Sequence, residues 1–312
     1  MDCRTDSPRL PVIDLSLFDL GDPWRGQVAA QIDTASSEFG FFCLIGHGID
    51  VAVVEPLMAT GRRFFATEAA VKRRVQVGHH ARGRQGGFTS LEELVARSSD
   101  LINLSFEAQL TWGVEDVLSP CAAQRQTFVP DVPGLREPVL DYMRSLTGLS
   151  HKLMAMLARG LRLEDSYFVD RYTGNPATSF RILHYPQIAN SPAAAVQASD
   201  GCTSPGLLTL LMQDANGGLE LRHRERWVDL PTIPNSFICS LGQGLARLTN
   251  GRYLAAAHRV RNSMESHRLS MAFGFEPTLN ATLEPIAGIR PAAGPTDSAP
   301  LALQEPGRRQ IA

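Results

Sequence analysis

The spacing of apolar positions changes character along the chain. Val28, Ile32, Ala35 and Phe39 recur every three or four residues, which predicts an amphipathic helix over 26–39. A short apolar strand at 11–15 precedes it. A continuous apolar run at 39–45 follows, reads as a buried strand and ends at Gly46-His47-Gly48-Ile49. Residues 52–77 combine Phe64-Phe65 with Arg62, Arg63, Lys72, Arg73 and Arg74, the pattern of a helix with one solvated face. A strand-like stretch falls within 100–112, at Leu101 to Phe106. Val139, Met143, Leu146, Leu153 and Leu157 then predict a long helix over about 136–160.

From residue 178 the texture turns to short strands. They are predicted at 179–186, 207–212, 218–222, 226–230, 235–241, 256–261 and 268–275, with Gly, Asn and Pro turns between them and one short helix at 242–252. Many short strands behind a few helices predict a barrel or jelly roll. Beyond 290 the chain is rich in Pro, Ala and Ser, and a mobile tail or lid is expected.

Composition narrows the function classes only a little. The 312 residues are enough for one large core, and a net charge of -2 gives no electrostatic reason to expect nucleic acid or anionic membrane as a partner. No apolar run reaches membrane-spanning length, and the first residues lack a secretory pattern. The five cysteines are scattered, which fits a reduced, cytoplasmic setting better than a disulfide framework. The adjacent His79 and His80 are read as surface residues, and His47 as a turn histidine.

The candidate chemistry lies in three stretches. The first is Cys202-Thr203-Ser204-Pro205-Gly206-Leu207-Leu208-Thr209-Leu210-Leu211. The second is His258-Arg259-Val260, preceded by Asn250-Gly251-Arg252-Tyr253. The third is Arg268-Leu269-Ser270. An arginine fork with a neighbouring hydroxyl is suited to clamping a carboxylate. An internal acid such as Glu276 or Asp229 is the alternative partner for that arginine.

Together with Gly40-Phe41-Phe42, His47-Gly48-Ile49 and Gln213-Asp214 followed by Gly217-Gly218-Leu219, these stretches resemble the isopenicillin N synthase-like branch of the 2-oxoglutarate/Fe(II) oxygenases. The resemblance covers roughly residues 10–285. It implies a mainly-β fold with helices: a double-stranded β-helix (jelly roll, cupin-like) core backed by N-terminal helices. It divides the chain into an N-terminal region at 1–125, the core with its backing helix at 126–288, and the tail at 289–312, in one compact unit. It also implies a small-molecule substrate, with Arg268, Ser270 and Tyr185 gripping 2-oxoglutarate or another carboxylate, and His258 as the distal ligand of Fe(II).

At the positions where the family places its first histidine and its carboxylate, this chain has Cys202 and Ser204. A neutral hydroxyl is a poor ferrous ligand, and the facial triad needs two imidazoles and a carboxylate. Asp200 and His223 are candidate replacements, and a softer metal on Cys202 and His258 is another. A metal-free Cys202–His258 pair is a further alternative. The expectation is therefore an oxygenase-like enzyme with an atypical metal site and unusual metal binding or non-oxidative chemistry. A catalytically dead homologue that binds a protein partner, and a classical hydroxylase with rescued ligands, are the other readings.

Overall fold

The computed structural model describes residues 10–75, 87–89, 108–114, 132–185, 201–261, 267–278 and 281–291. Its strands are β1 (Val12–Asp14), β2 (Phe41–Ile45), β3 (Gly87–Thr89), β4 (Ala108–Val114), β5 (Ala177–Tyr185), β6 (Leu208–Gln213), β7 (Leu219–His223), β8 (Arg226–Asp229), β9 (Phe237–Leu241), β10 (His258–Val260) and β11 (Arg268–Glu276). Eight form one sheet in the order β1-β2-β9-β6-β11-β5-β4-β3; β10, β7 and β8 form a smaller one. All pairings are antiparallel except β1 with β2. This is the expected jelly roll, and β1 to β4 of the N-terminal region extend the same large sheet.

Strand alternation assigns the two faces of that sheet. Leu269, Met271, Phe273 and Phe275 of β11 point to the main hydrophobic core, as do Phe180 and Ile182 of β5. The intervening residues Arg268, Ser270, Ala272, Gly274 and Glu276 face the other way, toward the smaller sheet. In register beside them on β5 stand Tyr185, Leu183, Arg181, Ser179 and Ala177. The chamber between the sheets is therefore lined by the polar half of β11 and β5.

The helices cover the apolar face. They are α1 (Trp24–Glu38), α2 (Val51–Phe65), α3 (Ala69–Arg74), α4 (Arg136–Gly160) and α5 (Gln243–Leu248). The predicted helix over 52–77 is thus broken in two. Asp50 caps α2 by accepting the Ala52 amide at 2.9 Å, an ordinary start signal. In α4, Val139, Tyr142, Met143, Leu146, Leu149, Leu153 and Leu157 make a buried stripe. Tyr142 meets Phe180 edge-on at 5.6 Å, and His151 meets Phe275 at 5.1 Å. Asp33 of α1 accepts from Arg252 Nη2 on both carboxylate oxygens and from the Tyr253 hydroxyl at 2.8–2.9 Å, which fastens the Asn250–Tyr253 turn to the helical layer.

The predicted strand at Leu101 to Phe106, the paired His79 and His80, Asp200 and the tail from 292 lie outside the described residues. The helix at 242–252 is shorter than expected, because Asn250 takes a positive φ of 52° and ends it. Among the described residues no helix is long and apolar enough to cross a membrane.

Candidate functional site

Cys202 and His258 are joined through the main chain. Each amide donates to the other's carbonyl at 2.9 Å, an isolated antiparallel bridge that extends β10. The bridge brings Cys202 Sγ to 3.8 Å from His258 Nε2. Cys202 is exposed, while the His258 ring is partly buried and meets the edge of Phe41 at 5.5 Å. Its Nδ1 is buried without a hydrogen bond of good geometry. Burial lowers the His258 pKa, the Ala256 backbone opposes that shift, and the charge of Arg181 adds to it.

Ser204 follows on a loop held by the start of α5. The Gln243 amide donates to the Ser204 carbonyl at 2.8 Å, and the Gln243 side chain donates to Thr203 Oγ1 at 2.5 Å. Gly242 allows this close approach, since a Cβ there would collide with the Gly206 carbonyl. The Ser204 hydroxyl accepts from Thr209 at 3.3 Å and lies 3.5 Å from Ser240 Oγ. It belongs to a small hydroxyl cluster.

At the other end of β11, Arg268 is 2% exposed and Ser270 is fully buried. Arg268 Nε donates to the Gly217 carbonyl at 2.5 Å. One terminal nitrogen donates to Ser270 Oγ at 3.4 Å and the other to Gln213 Oε1 at 3.3 Å. The guanidinium lies 4.5 Å from the Tyr185 ring centre. Arg268, Ser270 and Tyr185 are thus brought together as expected. The internal acids considered for Arg268 are engaged elsewhere. Asp229 pairs with Arg261 at 2.8 Å, and Glu276 sits at the far end of the same strand.

Asp214 organises the turn beneath the clamp. Its carboxylate accepts the Leu269 amide at 2.8 Å and the Asn216 amide at 3.1 Å. Arg62 of α2 reaches the same carboxylate at 3.4 Å. Part of the basic face of α2 is therefore used to hold the carboxylate that fixes the backbone of Leu269, between Arg268 and Ser270. A buried cation whose partners among the described residues are all neutral is costly unless an anion joins it. This pocket can receive a carboxylate.

The remaining histidine candidates are placed elsewhere. His47 Nε2 lies 3.0 Å from the Asn235 carbonyl and its Nδ1 accepts from Ile49 at 3.1 Å, which is the structural turn role expected of it. His223 stacks on Phe39 at 4.6 Å. Among the described residues no three His, Cys, Asp or Glu side chains are arranged to hold a metal ion. Two interior residues were not singled out as candidates by sequence reasoning: Arg181 on β5, and Glu276, which had been considered only as a partner for Arg268. The inward register of both strands, seen only once the sheet is assembled, is what reveals them.

A jelly roll with buried Arg268 and Ser270 at one end and a strand-bridged histidine at the other has the layout that the sequence resemblance implies. Comparison with known proteins agrees. Residues 178–277 match the 2OG-Fe(II) oxygenase superfamily, and residues 10–124 match the N-terminal region described for the non-haem dioxygenase in morphine synthesis. A 2-oxoglutarate-dependent dioxygenase of Didymella fabae is 30% identical over 294 residues, covering 85% of this chain and 87% of that protein. A 1-aminocyclopropane-1-carboxylate oxidase of Dictyostelium mucoroides is 29% identical over 310 residues, covering 88% and 84%. The crystal structure of a full-length Neurospora crassa protein in complex with alpha-KG and thymine superimposes with a TM-score of 0.77 at 22% identity, covering 93% of this chain and 92% of that one. The chain belongs to the 2OG-Fe(II) oxygenase superfamily, a family of oxidoreductases whose cofactors are 2-oxoglutarate and Fe(II).

The two cofactors fare differently against these residues. The Arg268 pocket fits a carboxylate. Among the described residues the ferrous triad is not met: His258 supplies one imidazole, and where the resemblance places the other two donors stand the Cys202 thiol and a Ser204 hydroxyl engaged by Thr209 and near Ser240. His258 also lacks a well-formed hydrogen bond on its second ring nitrogen, the contact that normally orients a ligating histidine.

Proposed function

We propose that this chain is a small-molecule enzyme of the superfamily that binds 2-oxoglutarate, or a similar dicarboxylate, through Arg268, Ser270 and Tyr185, and that its reacting centre is the unusual pair Cys202 and His258. The observation that carries this reading is the buried Arg268 guanidinium, whose hydrogen-bond partners among the described residues are all neutral. A scaffold under no demand to bind an anion gains nothing from keeping that charge desolvated. The small-molecule character is supported by the named relatives. In the family's chemistry, 2-oxoglutarate and iron supply the oxidising power; here the chain's own residues provide the anion clamp and one imidazole.

The metal centre is the atypical part. Cys202 Sγ and His258 Nε2, 3.8 Å apart, are spaced as two donors to one ion, and thiolate with imidazole favours a softer metal than Fe(II). A second reading, a homologue that binds without turnover, is favoured by one observation. The Ser204 hydroxyl is occupied within its own cluster, with no carboxylate in its place.

The test is an anaerobic titration of the purified chain with 2-oxoglutarate and Fe(II), then with Zn(II), following the metal-to-2-oxo-acid charge-transfer band and binding heat, with His258→Ala as control. The expected result is 2-oxoglutarate binding that survives His258→Ala, with weak or no ferrous band. A strong ferrous band lost in His258→Ala would restore the classical hydroxylase. Absence of any 2-oxoglutarate binding would favour the second reading.

A further inference from the structure

We propose that Arg181 is a second anion-binding residue, the anchor for a carboxylate carried by the small-molecule substrate. The proposal rests on the reading of the chamber as a small-molecule site beside the Arg268 clamp, and it names the substrate class.

The position comes from strand register. Arg181 pairs with Ala272 of β11, while Tyr185 pairs with Arg268. Residues two apart on a strand share a face, so Arg181 faces the same chamber as Tyr185 and Arg268. Four residues of strand separate Arg181 from Tyr185, a distance of about 13 Å, so the two guanidinium sites hold different groups. Ala272, the cross-strand neighbour, offers only a methyl group. Next to it, Gly274 has no side chain, and the Ser179 hydroxyl packs against it. On the β11 side the nearest inward neighbours of Arg181 are thus small, while Leu183 stands next along β5.

The electrostatics point the same way. Among the described residues Arg181 makes no hydrogen bond and no ion pair, although it is only partly exposed. Its charge acts on two groups in the chamber, His258 and Glu276. Glu276 is the nearest candidate for an internal partner, yet it forms no ion pair with Arg181. Its carboxyl is wedged instead against Gly206, where an added Cβ would collide with Oε2. Burial raises the Glu276 pKa to about 7, with the charge of Arg181 opposing the shift. An interior guanidinium with no hydrogen bond or ion pair among the described residues, close enough to His258 for its charge to act there, is suited to a two-pronged bond with a carboxylate. A singly charged carboxylate suits the position better than a phosphate, whose extra charge would meet the ionised fraction of Glu276.

The experiment uses the full chain saturated with 2-oxoglutarate. Straight-chain monocarboxylates from acetate to octanoate are titrated by calorimetry, each beside its primary amide as a neutral counterpart. Inorganic phosphate serves as the comparator anion. The series is repeated in Arg181→Gln and in Arg268→Gln. At least one acid is expected to bind, with its amide weaker by ~10-fold or more, and Arg181→Gln is expected to weaken the acid by ~10–100-fold. Arg181→Gln should leave 2-oxoglutarate affinity within about threefold of the parent. Arg268→Gln should lose 2-oxoglutarate and keep the monocarboxylate.

Three results would overturn the proposal: no acid binds, acid and amide bind equally, or acid binding follows Arg268 and not Arg181. Phosphate binding more tightly than every acid would also overturn it. The acid–amide comparison is made on the parent chain, so it stands even if Arg181→Gln fails to fold. If 2-oxoglutarate does not bind the parent chain at all, the reading of Arg268 fails. The acid series in Arg268→Gln then still decides Arg181.

Discussion

The two ends of the chamber share one scaffold and have met different fates. At the Arg268 end, the side chains to which the resemblance assigns a carboxylate are buried, and Arg268 is locked by Gly217, Gln213 and Ser270. At the His258 end the backbone bridge is formed, while Cys202 and Ser204 stand where the resemblance places a histidine and a carboxylate. The bridge that sets Cys202 opposite His258 consists of two main-chain hydrogen bonds, and the Ser204 loop is held by the Gln243 amide. None of these depends on which side chain occupies 202 or 204. Fold and metal chemistry are therefore separable in this architecture, because the ligand positions are defined by backbone and only the donors by side chain.

The sharpest way to break the contrast is to restore the missing donors. Cys202→His with Ser204→Asp should raise ferrous affinity by at least ~1000-fold, since each replaced ligand is worth more than the ~10–100-fold typical of groups behind a ligand. The readout is the anaerobic charge-transfer titration, with 2-oxoglutarate affinity held constant as the control. A double variant that binds iron no better than the parent would show that the backbone at this end has also drifted. At the opposite end, Arg268→Leu should cost 2-oxoglutarate ~100–1000-fold in affinity by calorimetry, the range seen when one side of a buried charged pair is removed. Binding within tenfold of the parent would mean that the carboxylate sits elsewhere.

How much of this was legible beforehand differs between the ends. Short strands with turn residues point only to a barrel or jelly roll behind helices; the double-stranded β-helix, and the Arg-x-Ser spacing with Tyr185 and His258, are recognisable because they resemble a family pattern. The substitutions at 202 and 204 are visible in the same frame. The internal partners considered for Arg268 were wrong, and for Glu276 distance alone decides it. It lies eight residues further along one extended strand, about 26 Å away at the usual rise. Asp229 is instead taken by Arg261, which depends on how β7, β8 and β10 assemble. Arg181 was harder to see. The alternation of β5 shows that its side chain shares a face with Tyr185, but that this face looks into the chamber, and that no acid meets it there among the described residues, emerges only when β4, β5 and β11 are side by side.

The smallest effect concerns the chamber's one raised carboxyl among the described residues. The Glu276 pKa stands at about 7 against an ordinary 4.5, so the folded chain holds this proton more tightly than the unfolded chain does. Stability from this group is then complete below about pH 4.5 and is lost as pH rises to about 7, beyond which the loss is constant. Glu276→Gln should match the parent at pH 4.5 and exceed it above pH 7 by ~1–3 kcal/mol in urea unfolding, the lower part of that range reflecting partial exposure. Parallel stability profiles for the two chains would mean that Glu276 is solvated like a surface acid. Arg181 supplies the cross-check, because its positive charge opposes the upward shift. Removing it in Arg181→Gln should move the parent's stability loss to higher pH, and adding Glu276→Gln to that variant should abolish the movement. A window that stays in place would show that the two side chains do not sense one another across the chamber, and Arg181 would then lose the electrostatic part of its case as a substrate anchor.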